Sequence, residues 1–485
     1  MNGPNSKAIE SRTLMAVFIA GWISIASIGV WQIVRSANDS VLALTAGALL
    51  AVSLLFSRYV LKLPFTSSAM LYLVLLGLFH LGLVVPWALG MYDASRMSWF
   101  EPHGLSGAIG LIIYSILAYQ LGLIVAVRKS EDMKSPAIDY SKLEDRNIFL
   151  VGSLLFIPAA LMFVIQLVGM DPAGYDRLIY SEYFRLRAES EPKLFGSGIT
   201  IAYVGLCLAV SGASRKQLRV TLVGAGIWVL TLFYLGFRGP ALIAGLVVCT
   251  IALKKGIRFP KWTPWVAVSL LLVAIPIMRS AREEPLISRS ITLSLNDFNI
   301  LDGPAEMGES IRPLVETMAL VGPRSYRYGK TYWIGLKGAV PSTATWDPTA
   351  TQSIDELAPN NWLIAVVDPW TFEHYGGLGF SAVAEPYMNF GIAGVLGYFM
   401  LLAFLLVRLD HLSIRSPYGL GCWALILGPL LWTTRNDSAN FFRPAIFGLV
   451  CLGLIRIFSS GYTLIASTRT QNFPDGPRVH DLGRL

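Results

Sequence analysis

Apolar residues in this chain do not alternate or recur at one helical face; they gather into long runs separated by short polar breaks. By the rule of roughly twenty apolar residues per bilayer crossing, about twelve such runs are long enough to span a membrane. They fall at Thr13 to Ile33, Val41 to Phe56, Ser67 to Gly90, Leu105 to Val127, Asn147 to Leu167 and Ser197 to Ala213. The second half adds Val220 to Gly236, Pro240 to Leu253, Trp262 to Met278, Gly379 to Val407, Leu420 to Thr433 and Ala445 to Ile465. The pattern therefore predicts an all-α polytopic integral membrane protein. Its first run lacks a small-residue cleavage site and is expected to remain as an anchor.

One long polar stretch interrupts the runs, from Arg279 to about Gly377. It divides the chain into helices one to nine over residues 1–278, the large loop over 279–377, helices ten to twelve over 378–466, and a polar tail, expected to be disordered, over 467–485. The loop is expected to form a lid or substrate platform. A second loop, Val168 to Gly196, intersperses Leu178, Ile179, Tyr183, Phe184 and Leu186 with charges, as an interfacial amphipathic helix would.

Orientation follows from lysine and arginine. One alternate set of loops carries Lys7 and Arg12, Arg58 and Lys62, the cluster from Arg128 to Arg146, Arg215 to Arg219, and Lys254 to Lys261. That set is expected to be cytoplasmic, which puts both termini inside and the Arg279 to Gly377 loop on the opposite, periplasmic side. Composition agrees with a membrane protein: 54% of the 485 residues are hydrophobic and only 14% charged, with mean hydropathy +0.56. The net charge of +8 is spread through short loops and makes no nucleic-acid stripe. The four cysteines, Cys207, Cys249, Cys422 and Cys451, lie in or beside apolar runs without metal-ligand spacing, and suit packing.

The basic residues on the other side call for another explanation. Arg238 in the tight turn LGFRGPAL, Arg279, Arg282 and Arg289 in RSAREEPLISR, and Arg435 and Arg443 in TTRNDSANFFRPA all sit near external span ends. Arginine stays charged and forks onto phosphate oxygens, so several converging there would cradle a pyrophosphate. The ordinary alternative is that they snorkel to headgroups or pair with Glu283, Glu284 and Asp437. On the same side Glu385, in AEPYMNFG, and His374, just before that span, are candidate general bases, with Glu309 of GESIRP a weaker one. Their ordinary roles would be a helix-start carboxylate, a surface histidine and a capping residue. Aromatic residues crowd the loop, Tyr328, Tyr332 and Trp333 among them, and can stack on sugar rings or anchor at the interface.

The order LGFRGPAL, then GES, RYGKTYW, AVPSTATW and AEPYMNFGIAGVLGYFML, over Leu235 to Asp410, resembles the O-antigen polymerase (Wzy-type) family of oligosaccharide repeat unit polymerases. In such proteins a basic residue often follows the Ile-Pro or Val-Pro of the loop; here Ser342 follows Val340 and Pro341. The resemblance implies a GT-C-like, metal-independent, inverting glycosyltransferase of the bacterial inner membrane. It would polymerise undecaprenyl-pyrophosphate-linked repeat units at the periplasmic face, with Arg238, Arg279, Arg282, Arg435 and Arg443 on the pyrophosphate and Glu385 or His374 as base. Tyr328, Tyr332 and Trp333 would meet the glycan. No metal or cofactor is implied; the partners would be the two lipid-linked glycans, membrane lipids and a chain-length regulator protein. An O-antigen ligase or a lipid-linked oligosaccharide flippase would carry similar arginines.

Overall fold

A computed structural model describes residues 38–94, 97, 99–100, 105–131, 144–169, 195–260, 299–339, 353–374 and 379–471, with the backbone alone for 129–131, 166–169, 195–197, 373–374 and 460–471. The described residues are helical throughout, without strands. In chain order the helices are α1 (Asp39–Tyr59), α2 (Ser68–Leu81), α3 (Val84–Ala88), α4 (Leu105–Glu131), α5 (Arg146–Gly169), α6 (Phe195–Gly212), α7 (Arg215–Tyr234) and α8 (Arg238–Lys254). Five short helices follow: α9 (Asp302–Gly308), α10 (Ile311–Leu320), α11 (Lys330–Ala339), α12 (Pro359–Val367) and α13 (Pro369–His374). The chain ends in α14 (Ala384–Ser413), α15 (Pro417–Trp432) and α16 (Ala439–Gln471).

Six of these are long and apolar enough to cross a membrane: Asp39–Tyr59, Leu105–Arg128, Arg146–Ile165, Arg215–Tyr234, Ala384–Ser413 and Ala439–Ser459. Their outward faces are what lipid requires. On α5, Leu150, Leu154, Ile157, Leu161 and Ile165 stand exposed at helical spacing, and on α7 so do Val220, Val223, Ile227, Leu230 and Tyr234. Water would not tolerate such stripes, whereas hydrocarbon costs them nothing. The molecule is a multi-pass membrane protein. Most of α4 is buried instead, and it forms the centre of the bundle.

The runs at Thr13 to Ile33 and Trp262 to Met278, the Val168 to Gly196 amphipathic stretch and most of the expected 467–485 tail lie largely or wholly outside the described residues, while 467–471 of that tail end the helix α16. The other ten expected runs fall on helices, with one correction. Ser67 to Gly90 is not one continuous helix but two, α2 and α3, parted at Gly82 and Leu83. There the backbone of α9 presses so close that a Cβ on Gly82 would strike the Pro304 carbonyl oxygen. The described parts of the expected loop from Arg279 to Gly377 fold into α9 to α13.

Two devices hold the spans together. Helices α5 and α6 run antiparallel with their backbones in contact, because Gly152, Gly205 and Gly212 leave no side chain between them. A Cβ on Gly205 would meet the Phe156 backbone nitrogen, and one on Gly152 the Ala209 nitrogen. Small residues at such crossings let van der Waals packing replace the hydrophobic effect, which lipid removes. At the end of the bundle opposite Glu385, Asp410 of α14 accepts from the Ser68 backbone N–H at 2.8 Å, the Ser68 hydroxyl at 2.9 Å and the Trp423 indole at 3.0 Å. The Lys254 ammonium completes this cluster at 3.2 Å from Asp410, so α2, α8, α14 and α15 meet on one carboxylate.

Gly205→Leu should therefore destabilise the α5–α6 pair by about 1–3 kcal/mol or more. Gly453→Ala, where nothing lies within 4 Å of the added carbon, should be close to neutral. Thermal unfolding in detergent, read as the monodisperse fraction on gel filtration, checks both.

Candidate functional site

The site grows from a break in α14. Gly391 has φ 65° and ψ −151°, a conformation that interrupts the helix and is costly for any residue with a Cβ. A side chain there would also collide with Tyr326, whose hydroxyl lies 2.5 Å from the position of a Cβ. In a continuous helix the Met388 and Asn389 carbonyls would bond only to amides one turn on. Here they accept from Arg327 N–H at 3.0 Å and Tyr328 N–H at 3.1 Å. The Asn389 side chain extends the same pairing, its Oδ1 accepting from Gly329 N–H at 2.8 Å. Thus RYGKTYW docks onto AEPYMNFG by main-chain hydrogen bonds, with Tyr328 and Gly329 in left-handed conformations at the turn into α11.

Glu385 lies at the centre of this junction and is 4% exposed. Its Oε1 accepts from the Thr331 hydroxyl at 2.9 Å and the Ser438 hydroxyl at 2.7 Å, and its Oε2 from the Ser438 N–H at 2.8 Å. Asn389 Nδ2 donates onward to Thr331 Oγ1 at 2.6 Å. Both carboxylate oxygens are thus occupied by donors from α11 and from the turn between α15 and α16. The adjacent Asp437 is also buried; its oxygens accept from Asn360 N–H at 3.0 Å and Asn440 Nδ2 at 2.8 Å. Burial raises its carboxyl above the ordinary range, against the lowering effect of these donors. Tyr332 is half-buried, and burial first, then the nearby Glu385 carboxylate, push its phenol up.

The same α15–α16 turn carries Arg435, whose carbonyl accepts from Phe380 N–H at 2.8 Å. Arg435 lines a cleft with Phe79, Phe233, Arg238, Gly239, Glu306 and Met307. Arg238 opens α8 after a turn at Gly236 with φ 89°, and Glu306 of α9 grips it with both oxygens, one bond being 2.8 Å from Arg238 Nη1 to Oε2. His80 ties this wall to the residues leading into α14: its Nδ1 donates to the Leu76 carbonyl at 3.0 Å, which leaves Nε2 to accept from the Ser381 hydroxyl at 2.7 Å.

Of the residues expected from the sequence, Arg238 and Arg435 share one cleft, joined to Glu385 through three further residues of the turn. Arg443 is exposed and turns instead to the Gly338 carbonyl, from Nε at 3.2 Å and Nη2 at 2.9 Å, at the end of α11. Arg279, Arg282 and Arg289 lie outside the described residues, and His374 ends α13 with its side chain outside them. Glu309 caps the C-terminal end of α9. Tyr328 and Trp333 are exposed at 73% and 56%, open to a ligand, whereas Tyr332 faces inward. Glu306, Thr331, Ser438 and His80 were not singled out by the sequence. A serine, a threonine or a glutamate in a polar stretch carries no local mark of burial, so only the tertiary contacts identify Glu306, Thr331 and Ser438; His80 did carry one, as an ionisable residue inside an apolar run.

Fold and site define a membrane-embedded, all-helical protein with an arginine-lined cleft at one end of its bundle. A family model described as O-antigen polysaccharide polymerase Wzy matches residues 13–463, and the chain belongs to that family. Protein CapE of Staphylococcus aureus is 23% identical over 265 residues, 53% of this chain and 54% of that protein. The chain thus spans about half the length of the curated relative it matches. No solved structure matches it.

Glu385→Ala should strand the Ser438 N–H and cost about 1–3 kcal/mol. Glu385→Gln, which keeps one acceptor for that N–H, should cost less. Limited proteolysis checks the local consequence: cleavage between α10 and α11 should accelerate in the alanine variant before the bundle itself unfolds.

Proposed function

We propose that this protein joins lipid-linked oligosaccharide repeat units into a surface polysaccharide, acting as an inverting glycosyltransferase at the periplasmic face of the bacterial inner membrane. The observation that carries the reading is the convergence of Arg238 and Arg435 on one cleft, in a chain that belongs to the Wzy family. Two guanidiniums at the membrane boundary suit an anion delivered by a lipid, and undecaprenyl diphosphate presents such an anion at the headgroup level.

In the proposed reaction the acceptor hydroxyl oxygen attacks C1 of the donor sugar from the face opposite the diphosphate. The C1–oxygen bond to the diphosphate breaks, a new glycosidic bond forms with inversion, and the hydroxyl proton passes to a protein base. Arg238 and Arg435 take up the charge that develops on the leaving diphosphate, which supplies electrostatic stabilisation without a metal. Arg279 and Arg282 are assigned to the same anion. Arg443 is assigned to fastening α11.

Glu385 and His374 divide the remaining work. With three donors on its carboxylate, Glu385 holds α11 and the α15–α16 turn in register and so positions Arg435. His374 is assigned the acceptor proton, since imidazole takes a proton near neutral pH. Tyr328 and Trp333 offer exposed rings to the glycan. The first half of the chain supplies the wall at Phe79 and Phe233.

Purified protein incubated with lipid-linked repeat units in detergent should produce a ladder of glycan lengths; absence of any new glycosidic bond would refute the transferase reading. Arg435→Ala, and Arg238→Ala combined with Glu306→Gln so that no buried carboxylate is left unpaired, should each lower the rate by about 100-fold or more while the protein remains folded. Arg238→Lys should restore only part of it, because a single ammonium cannot fork onto two oxygens.

A further inference from the structure

We propose that Glu306 is a built-in competitor for the diphosphate site, an internal anion that holds Arg238 until a donor lipid displaces it and so sets donor affinity without joining the chemistry. The inference rests on the reading of the cleft as a diphosphate site. Its geometric basis is the two-pronged pairing of Arg238 with Glu306, with side chains only 13% and 6% exposed. A diphosphate offers a guanidinium the same paired oxygens that a carboxylate does. The two anions therefore compete for one donor fork. Arg238 cannot answer by losing its proton, since guanidinium stays charged at any working pH.

The surroundings restrict how the exchange occurs. Helix α9, which carries Glu306, is pressed against the α2–α3 break: a Cβ on Gly308 would strike the Leu83 backbone nitrogen, and one on Gly82 the Pro304 carbonyl. That backbone contact leaves α9 no room to slide towards α2, and the motion assigned to release is rotation of the Glu306 side chain. The backbone at Arg238 is held by the tight turn before α8, and the Trp432 ring covers the neighbouring Gly239. Arg435 borders the same cleft, so a diphosphate reaching both arginines would bridge two cations. A ligand with two phosphates should therefore displace the carboxylate, whereas a monophosphate should do so poorly. Release of the spent lipid diphosphate follows from the same competition: Glu306 returning to Arg238 helps expel the product.

The test uses the full-length protein in lipid nanodiscs with geranyl diphosphate and geranyl monophosphate as probes. Glu306→Gln removes the charge but keeps an oxygen for Arg238. It should bind geranyl diphosphate about three- to tenfold more tightly than wild type. It should also lower KM for the lipid-linked repeat unit without raising kcat, a split that a merely structural role would not produce. Unchanged or weaker binding by Glu306→Gln, with wild type binding normally, overturns the role of Glu306 and leaves the diphosphate site standing. Failure of wild type and variant alike to bind the diphosphate refutes the reading of the cleft and this inference with it. Should Glu306→Gln not fold, Glu306→Asp, which shortens the reach to Arg238, is read the same way. Tighter binding supports the competitor role, and unchanged or weaker binding overturns it.

Discussion

The arrangement at the Arg238 end of the molecule depends on one buried carboxylate. Glu385 gathers a hydroxyl from α11 and a hydroxyl and an N–H from the α15–α16 turn, three donors from two segments that nothing in the chain order brings together. A carboxylate at the start of a membrane helix is costly unless its lone pairs are filled, and here they are filled by the elements that must be placed. The cost of desolvation thus becomes a constraint on position. Move α11 or the turn, and the carboxylate loses a partner it cannot replace with water.

The interruption at Gly391 serves the same end. A regular helix keeps its hydrogen bonds to itself and presents no backbone edge for another segment to join. By leaving helical geometry for one residue, α14 turns two carbonyls towards Arg327 and Tyr328 and lets Tyr326 lie against bare backbone. Arg327 then reaches on to Asp355 at 3.1 Å and lies 4.7 Å over the Trp362 ring, drawing α12 into the same assembly. Fastened in this way, α11, α12 and the turn bearing Arg435 form one body with α14. The arginine cleft inherits that rigidity, which a site for charge developing in a transition state requires.

The sequence made the spans legible because a bilayer imposes length and apolarity on every crossing, and α1, α4, α5, α7, α14 and α16 satisfy both. The division of α2 from α3 has one mark in the sequence, Pro86, which cannot bond to the Gly82 carbonyl four residues back, while the close approach of α9 to Gly82 shows only in the fold. The sequence showed the helices of the long polar stretch poorly: α9 to α13 are six to ten residues each, too short to form without docking. Among site residues, Arg238, Arg435 and Glu385 stood out because charge near a membrane needs a reason. Thr331 and Ser438, which give Glu385 its place, and Glu306, which holds Arg238, are unremarkable in a polar stretch. Arg443 looked like its neighbours in sequence, yet it serves the end of α11.

The central claim is that Arg238 and Arg435 receive the diphosphate of a lipid-linked glycan on a frame held by Glu385. An electron cryo-microscopy structure of the protein in nanodiscs with a prenyl-diphosphate-linked repeat unit tests it most directly. The account predicts diphosphate density bridging the Arg238 and Arg435 side chains, with the Thr331, Ser438 and Glu385 hydrogen bonds intact. Diphosphate density elsewhere on the molecule, with Arg238 and Arg435 making no contact to it, would contradict it.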